Sequence, residues 1–534
     1  MSSKKTPDVV VPPQPTAAAV SAATHFKVNN LTLWLCTLAA ALFYAFYSTR
    51  SNGFYQQDEA GHFISMLDFW HQPSSVLSNW AKPGYKIIYA LPALLGKNAV
   101  LILNCIFAAM TGFLAYRIAE KIGSNRPMIA FLLLITQPLW VSLSFRNYSE
   151  IPSAFLLALA VYLHVIDKRW LAALVASYIC TIRQEFIPIL GLYGLYMLYL
   201  KNFGVAVMLA IFPLLQNLWG GLVTNDFLYL YNQIFGTSEG LKDAYPRQGF
   251  DHYWRTSIVI FGAGAVVMFV AYVGTQILQR KHPNYILLVP VFLYILLNSL
   301  FNWQAVHIGP ATGGNLRYLL FVSPLVAVLG ALALDEYEKM ADRWRIVYFL
   351  LPLLIVIGVY LNYQHNYVVL TDEPDKKPLV GAMLIVVALL IPVSAYLQTL
   401  IFGIVLVFNM GINISVIKLA DEDKTCKEAA QWYLKNESQY KGKQMYANHV
   451  MLFYFMERTR GDFSPEPKYV TTEADMEKMP SGSIILWDSH YAYRPSRNSG
   501  VNIDYFAKQP DKYTLVQQFV TPQQNFGVIV LQKK

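Results

Sequence analysis

The chain returns repeatedly to apolar runs of similar length, beginning with LTLWLCTLAAALFYAFY. A helix needs about 20 such residues to cross the hydrocarbon of a bilayer. Stretches of about this size fall at 31–48, 99–118, 127–145, 151–166, 170–182, 186–200, 203–222, 256–278, 284–301, 316–334, 346–361, 379–396 and 398–417. In lipid every backbone N–H and C=O must find its partner inside the protein, and a helix supplies those partners from within one segment. The composition agrees, with 55% hydrophobic and only 14% charged residues in 534, far more apolar than a soluble chain of this size. The expected fold class is therefore mainly α: a polytopic membrane helix bundle of about 13 spans, covering 31–417.

Basic residues set the orientation. Arg117, Lys121 and Arg126, then Lys168 and Arg169, Lys201, Arg280 and Lys281, and Lys339, Arg343 and Arg345 fall in alternate short connections, so these connections are expected to face the cytoplasm. The other side receives the longer loops 49–98, 223–255, 302–315 and 362–378. Residues 1–30, rich in Pro, Ala and Ser, read as a disordered cytoplasmic tail ahead of a retained first helix. With an odd number of spans, everything after residue 418 reaches the outer side. That segment changes character: SIILWD, YTLVQQFV and FGVIVLQK have strand patterns, whereas CKEAAQWYLKNES and TEADMEKM have helical spacing. It is expected to be a small extracytoplasmic α/β domain, 418–534. Its WDSH stretch, Asp488 and His490 included, reads as ordinary surface polarity.

Several functions fall away. The net charge of +9 is spread in small clusters between apolar runs, so no nucleic-acid partner is expected. Cys36, Cys105 and Cys180 lie in apolar runs and Cys426 stands alone, which leaves neither a CxxC pair nor a disulfide framework. No metal and no cofactor are expected, and no Gly-rich nucleotide loop is present.

The ionisable residues that remain at span edges gather on the outer side. DEAGHF brings Asp58, Glu59 and His62, and NWAKPGY brings Lys82; FRNYSE carries Arg146 and Glu150, TIRQE carries Arg183 and Glu185, and GGNLRY carries Arg317. Charges at such depth are costly and mark sites for charged ligands. Three arginines and a lysine suit a phosphate, which Arg binds bidentately and Lys as a compact charge; snorkelling side chains and helix-end ion pairs are the plainer reading. Phe63, Met66, Leu67 and Trp70 form an apolar stripe suited to a helix lying in the membrane surface. The aromatic residues of 223–255, among them Phe227, Tyr231, Tyr245 and Trp254, suit either a cover over a site or an aromatic belt.

DEAGHF in the first outer loop, followed after about twenty residues by KPGYKIIYALPALLG, resembles the lipid-phosphate-sugar-dependent glycosyltransferases of GT-C fold. The likeness is to protein O-mannosyltransferases, with their Asp-Glu-x-His-Phe pattern, and to lipid A aminoarabinose transferases, where Lys-Pro follows an Asp-Glu loop. One extra residue separates Glu59 from His62, and the second Asp-based loop motif of the mannosyltransferases is missing. The resemblance implies Asp58 as the catalytic acidic residue, Glu59 as its neighbour and Lys82 as a phosphate contact; His62, Arg146, Arg183 and Arg317 join as candidate substrate and phosphate ligands. The implied partners are a polyprenyl-phosphate sugar donor, a hydroxyl acceptor on lipid, glycan or protein, and membrane lipids. Transfer to a hydroxyl needs a carboxylate as base and cations where charge builds on the departing phosphate, and direct attack inverts the anomeric centre. A transporter or flippase of a lipid-linked or anionic substrate is the alternative, although polar residues at one face fit it poorly. A bacterial inner membrane, with the site facing outward, is expected ahead of the endoplasmic reticulum.

Overall fold

The computed structural model describes residues 28–50, 57–77, 82–235, 247–303, 305, 313–361, 377–414, 418–494 and 499–534. The expected tail before residue 28, Tyr245, and most of the loops at 302–315 and 362–378 lie outside these residues.

All thirteen apolar stretches are helical. Five of them contain a break, the 379–396 stretch between Leu390 and Ala395 among them, and two of the breaks have an evident local cause. The 127–145 stretch divides into Met128–Ile135 and Pro138–Ser144; the residue before a proline is driven to extended backbone, and Gln137 has ψ 123°. The 256–278 stretch divides at Gly262, whose φ of 77° a side chain would oppose. Phe203–Met208 and Ile211–Thr224 share a third stretch, and a fourth opens as a 3-10 turn, Leu316–Val322, before the helix Ser323–Glu338. Among the described residues seven helical segments are long and apolar enough to cross a membrane. The innermost is Leu316–Glu338, with 89% of its apolar window buried inside the fold.

The first span, α1 (Asn30–Arg50), is followed by α2 (Gln57–His71) and α3 (Pro83–Leu94), and then by the long helix α4 (Lys97–Lys121). At one end of the bundle the basic connections meet: Arg126 pairs with Glu338 at 2.5 Å, and Lys281 and Lys339 share Glu336 at 2.5 and 3.1 Å. Three of the five connections expected on one side thus touch. At the other end α2 and α3 carry the candidate residues.

Residues 421–534 form an α/β unit around a four-stranded sheet of order β1-β2-β6-β5, made of β1 (Met445–Ala447), β2 (Ile484–Asp488), β5 (Tyr513–Val520) and β6 (Gly527–Lys533); β3 (Tyr493–Arg494) and β4 (Ser499–Gly500) form a separate pair. β1 runs parallel to β2, and β6 antiparallel to both its neighbours. The helix Asp421–Tyr440 covers the sheet with Cys426, Ala429, Ala430 and Tyr433.

The stripe on α2 has a different role from the one read in the sequence. Phe63 and Met66 are fully buried, and Phe63 packs edge-on against Tyr454 of the helix Val450–Met456, with ring centroids 5.8 Å apart. One hydrophobic core joins Ala60, Phe63, Tyr85 and Tyr89 to Leu452, Tyr454, Ile484 and Val528. The stripe therefore meets the C-terminal unit, and Trp70, 48% exposed, is its one outward member. WDSH departs from its expected surface role at Asp488, fully buried at the end of β2, whereas Ser489 and His490 are exposed.

Candidate active site

Asp58 and Glu59 lie in the first turn of α2 and not in an extended loop. Successive helical side chains diverge by about 100°, and here that divergence separates the two carboxylates completely. Glu59 is buried, its Oε2 held by Arg146 Nη2 at 2.8 Å and Nε at 3.2 Å. Asn147 adds two bonds to the same residue, from its N–H to Oε1 at 3.0 Å and from Nδ2 to the Glu59 carbonyl at 2.9 Å. Asp58 points the other way, with its side chain 49% exposed.

The loop Phe145–Ser149 is where the network closes. It joins the helices Pro138–Ser144 and Glu150–Val165, and its shape is held from beneath by Asn104, whose Nδ2 donates to the carbonyls of Leu143, Ser144 and Arg146 at 3.0, 3.2 and 2.8 Å. Tyr85 donates to Asn147 Oδ1 at 2.5 Å. Tyr148 offers its ring to two guanidinium groups, Arg317 at 3.9 Å and Arg146 at 4.8 Å.

Arg317 enters from the 3-10 turn Leu316–Val322, whose cap Asn315 accepts from the Arg317 N–H at 3.3 Å. Just before it Gly314, at φ 70°, donates to Asn302 and accepts from His252 Nε2 at 2.7 Å. A Cβ at Gly314 would press on the His252 ring at 2.6 Å. The Arg317 head reaches Asp58 and Glu150 only at 3.5 Å each, the limit of a hydrogen bond. Arg183 is held more tightly, by Glu150 at 2.6 Å and Glu185 at 2.8 Å, and Tyr294 donates to Glu185 at 3.0 Å.

Lys82 takes a left-handed backbone, φ 54°, just before Pro83 starts α3. Its Nζ donates to Ser149 Oγ at 2.8 Å. Burial, followed by the nearby Arg183 charge, lowers the ammonium pKa to about 8. His62 lies on the buried side of α2 with Lys86 Nζ 2.5 Å from its Nδ1.

All seven residues singled out in the sequence thus meet around one loop. They differ in what they offer: Asp58 is half-exposed, buried Arg317 reaches its carboxylates only at 3.5 Å, and Lys82 is bound to the Ser149 hydroxyl, whereas Glu59, Arg146 and Arg183 form close buried pairs. Sequence reading passed over Asn104, Asn147, Tyr148 and Lys86. An asparagine in the middle of an apolar helix was the one available signal for Asn104, and FRNYSE contained Asn147 and Tyr148 without marking their roles. Away from this loop, Glu422, His449 and His490 bring ligand-type atoms within 4.8 Å of one another.

No protein-family model matches the sequence, and neither does any curated protein. Solved structures do match. ArnT from Cupriavidus metallidurans bound to undecaprenyl phosphate superposes with TM-score 0.60 and 11% identity, over 94% of this chain and 98% of that one. The same protein in the apo state gives TM-score 0.54 and 12% identity over the same shares. The apo oligosaccharyltransferase of Archaeoglobus fulgidus aligns at TM-score 0.45 and 11% identity, over 92% of this chain and 74% of that one. The chain shares the fold of ArnT, of GT-C type: a polytopic helix bundle with a small C-terminal sheet region. The chain is a multi-pass membrane protein.

Proposed function

We propose that the chain is a glycosyltransferase that moves a sugar from a polyprenyl-phosphate donor to a hydroxyl acceptor at the extracytoplasmic face. The observation that carries this reading is the contrast around the 145–149 loop. Asp58 is half-exposed beside Arg317, with Lys82 bound to Ser149 of the same loop, whereas Glu59, Glu150 and Glu185 are paired and buried or partly so. An exposed acid next to a cation that no carboxylate grips closely is what transfer from a phosphate-linked donor requires. The structural relative captured with undecaprenyl phosphate supports a lipid phosphate of this kind.

In this mechanism Asp58 accepts the acceptor's hydroxyl proton as the oxygen attacks the anomeric carbon. The bond from that carbon to the donor phosphate breaks with inversion, and the electron pair leaves on the phosphate oxygen. Lys82 and Arg317 stabilise the charge that develops there. Arg146 and Arg183 act one layer back: Arg146 holds Glu59 and shares the Tyr148 ring with Arg317, and Arg183 holds Glu150, the other neighbour of Arg317. His62 lies behind the phosphate side of the site.

The test compares purified wild type with Asp58→Asn in transfer from a polyprenyl-phosphate sugar and in donor binding. Turnover should drop by about 100-fold or more, the usual scale for losing a general base, with donor binding retained. A fully active variant would end the assignment of Asp58 as base. Flux of the donor across liposomes without sugar transfer would point to the transporter class instead.

A further inference from the structure

The residue before Asp58 belongs as much to the C-terminal unit as to α2. Gln57 Nε2 donates to Glu422 Oε1 at 2.7 Å, and Gln57 Oε1 accepts from the Tyr491 hydroxyl. Both amide atoms are therefore used, by residues more than 360 positions away. Glu422 itself is held in the first turn of the helix Asp421–Tyr440, where the same Oε1 accepts from His449 Nε2 at 2.9 Å and His490 Nδ1 at 2.8 Å.

These partners are themselves fixed. Asp488 Oδ1, buried at the end of β2, accepts from the backbone N–H groups of His490 at 3.1 Å and Tyr491 at 2.5 Å. The His490 and Tyr491 rings stack with centroids 4.3 Å apart, and Arg494 covers Tyr491 at 4.0 Å. The donor set resembles a metal site, but the His449 ring argues for hydrogen bonding. Its Nδ1 accepts from the Met451 N–H at 3.2 Å, so the ring proton is on Nε2 and faces Glu422. A metal ligand needs a free lone pair at that nitrogen.

We propose that Glu422 and Tyr491 are positioning residues for sugar transfer, holding Gln57 and through it the carboxylate of Asp58. This rests on the reading of Asp58 as the base. Within the first turn of α2, Glu59 is tied down by Arg146 and Asn147 from the membrane bundle, and Gln57 is tied down from the C-terminal unit. Asp58 lies between these two anchors, and among the described residues its side chain has the 3.5 Å contact to Arg317 to orient it. A base must meet its proton at hydrogen-bond distance, so an unanchored helix start would spread Asp58 over unproductive positions. The C-terminal unit is then a working part of the active site.

The test uses full-length protein and the variants Gln57→Ala, Tyr491→Phe, Glu422→Gln and the pair Gln57→Ala with Glu422→Gln. Each single change should lower kcat by about 10- to 100-fold, the range for a misplaced reacting group, with donor KM within about twofold of wild type on the same grounds. The pair should be no worse than Gln57→Ala alone, because Glu422 acts through Gln57. In an Asp58→Asn background Gln57→Ala should add nothing, which a general loss of structure would not reproduce. Wild-type kcat in Gln57→Ala and Tyr491→Phe, with Asp58→Asn inactive, would overturn this proposal and leave the base intact. A fully active Asp58→Asn would instead remove the reading on which it rests. Activity lost on chelation and restored by Zn²⁺ in wild type, but not in Glu422→Gln, would make the cluster a metal site and also overturn it.

Discussion

Glu59 and Asp58 are chemically almost the same residue, and their surroundings give them opposite parts. Glu59 and Arg146 are both fully buried, and a buried ion pair is costly to break because the remaining charge has no solvent. Arg146→Ala is therefore expected to destabilise the protein by about 3–5 kcal/mol, read as loss of thermal stability in detergent, with Arg146→Lys intermediate because it cannot reproduce the two-pronged contact. An unchanged melting temperature would mean that the pair does not hold the loop. Lys82 supplies the pH dependence. Its pKa is lowered to about 8, so the ammonium proposed to hold the donor phosphate is present below that value and is lost as pH rises through it. The kcat/KM for donor should fall above about pH 8, and Lys82→Arg, charged throughout, should extend the plateau to higher pH. An identical alkaline limb in the two enzymes would assign that limb to another group.

At the scale of elements, the start of α3 shows why KPGYK has its composition. Pro83 opens the helix, where its missing N–H costs nothing, and Gly84 packs against the turn at Thr181. The Gly84 N–H donates to the Thr181 carbonyl at 3.2 Å, and Tyr178 donates to the Gly84 carbonyl at 2.8 Å. A Cβ at Gly84 would collide with Thr181 Oγ1. Gly84→Ala should therefore push α3, and Lys82 at its head, away from Ser149, raising donor KM more than it lowers the melting temperature. Normal donor KM with a large loss of stability would show that the contact only supports the fold.

At the scale of the molecule, α2, α3 and the C-terminal unit share one core, so all three lie at the same end of the bundle. A cysteine introduced at exposed Ser481 should react with an impermeant thiol reagent in intact cells. The background is favourable, since Cys105, Cys180 and Cys426 are buried and Cys36 is only partly accessible. Labelling only after permeabilisation would reverse the orientation drawn from the basic loops, and with it the face of the site.

Sequence alone determined the helical class, the alternation of basic connections and three of the four strands of the C-terminal sheet, Met445–Ala447 being the one it missed. Each of these is a local property: backbone satisfaction in lipid demands helices of a certain length, charge bias sets orientation, and strand patterns repeat over a few residues. It also drew attention to Asp58, Glu59, His62, Lys82, Arg146, Arg183 and Arg317, because charge near a membrane is conspicuous wherever it occurs. Which of them are spent on one another was not legible, since Glu59 finds Arg146 across 87 positions and Arg317 reaches Asp58 across 259. The apolar stripe of α2 was equally visible, yet its partner was not, because a membrane surface and a protein core make the same demand on Phe63 and Met66. Only the tertiary structure decided between them, by bringing Tyr454 against the middle of that helix and Glu422 to its start, where packing and hydrogen bonding depend on distance in space and not along the chain.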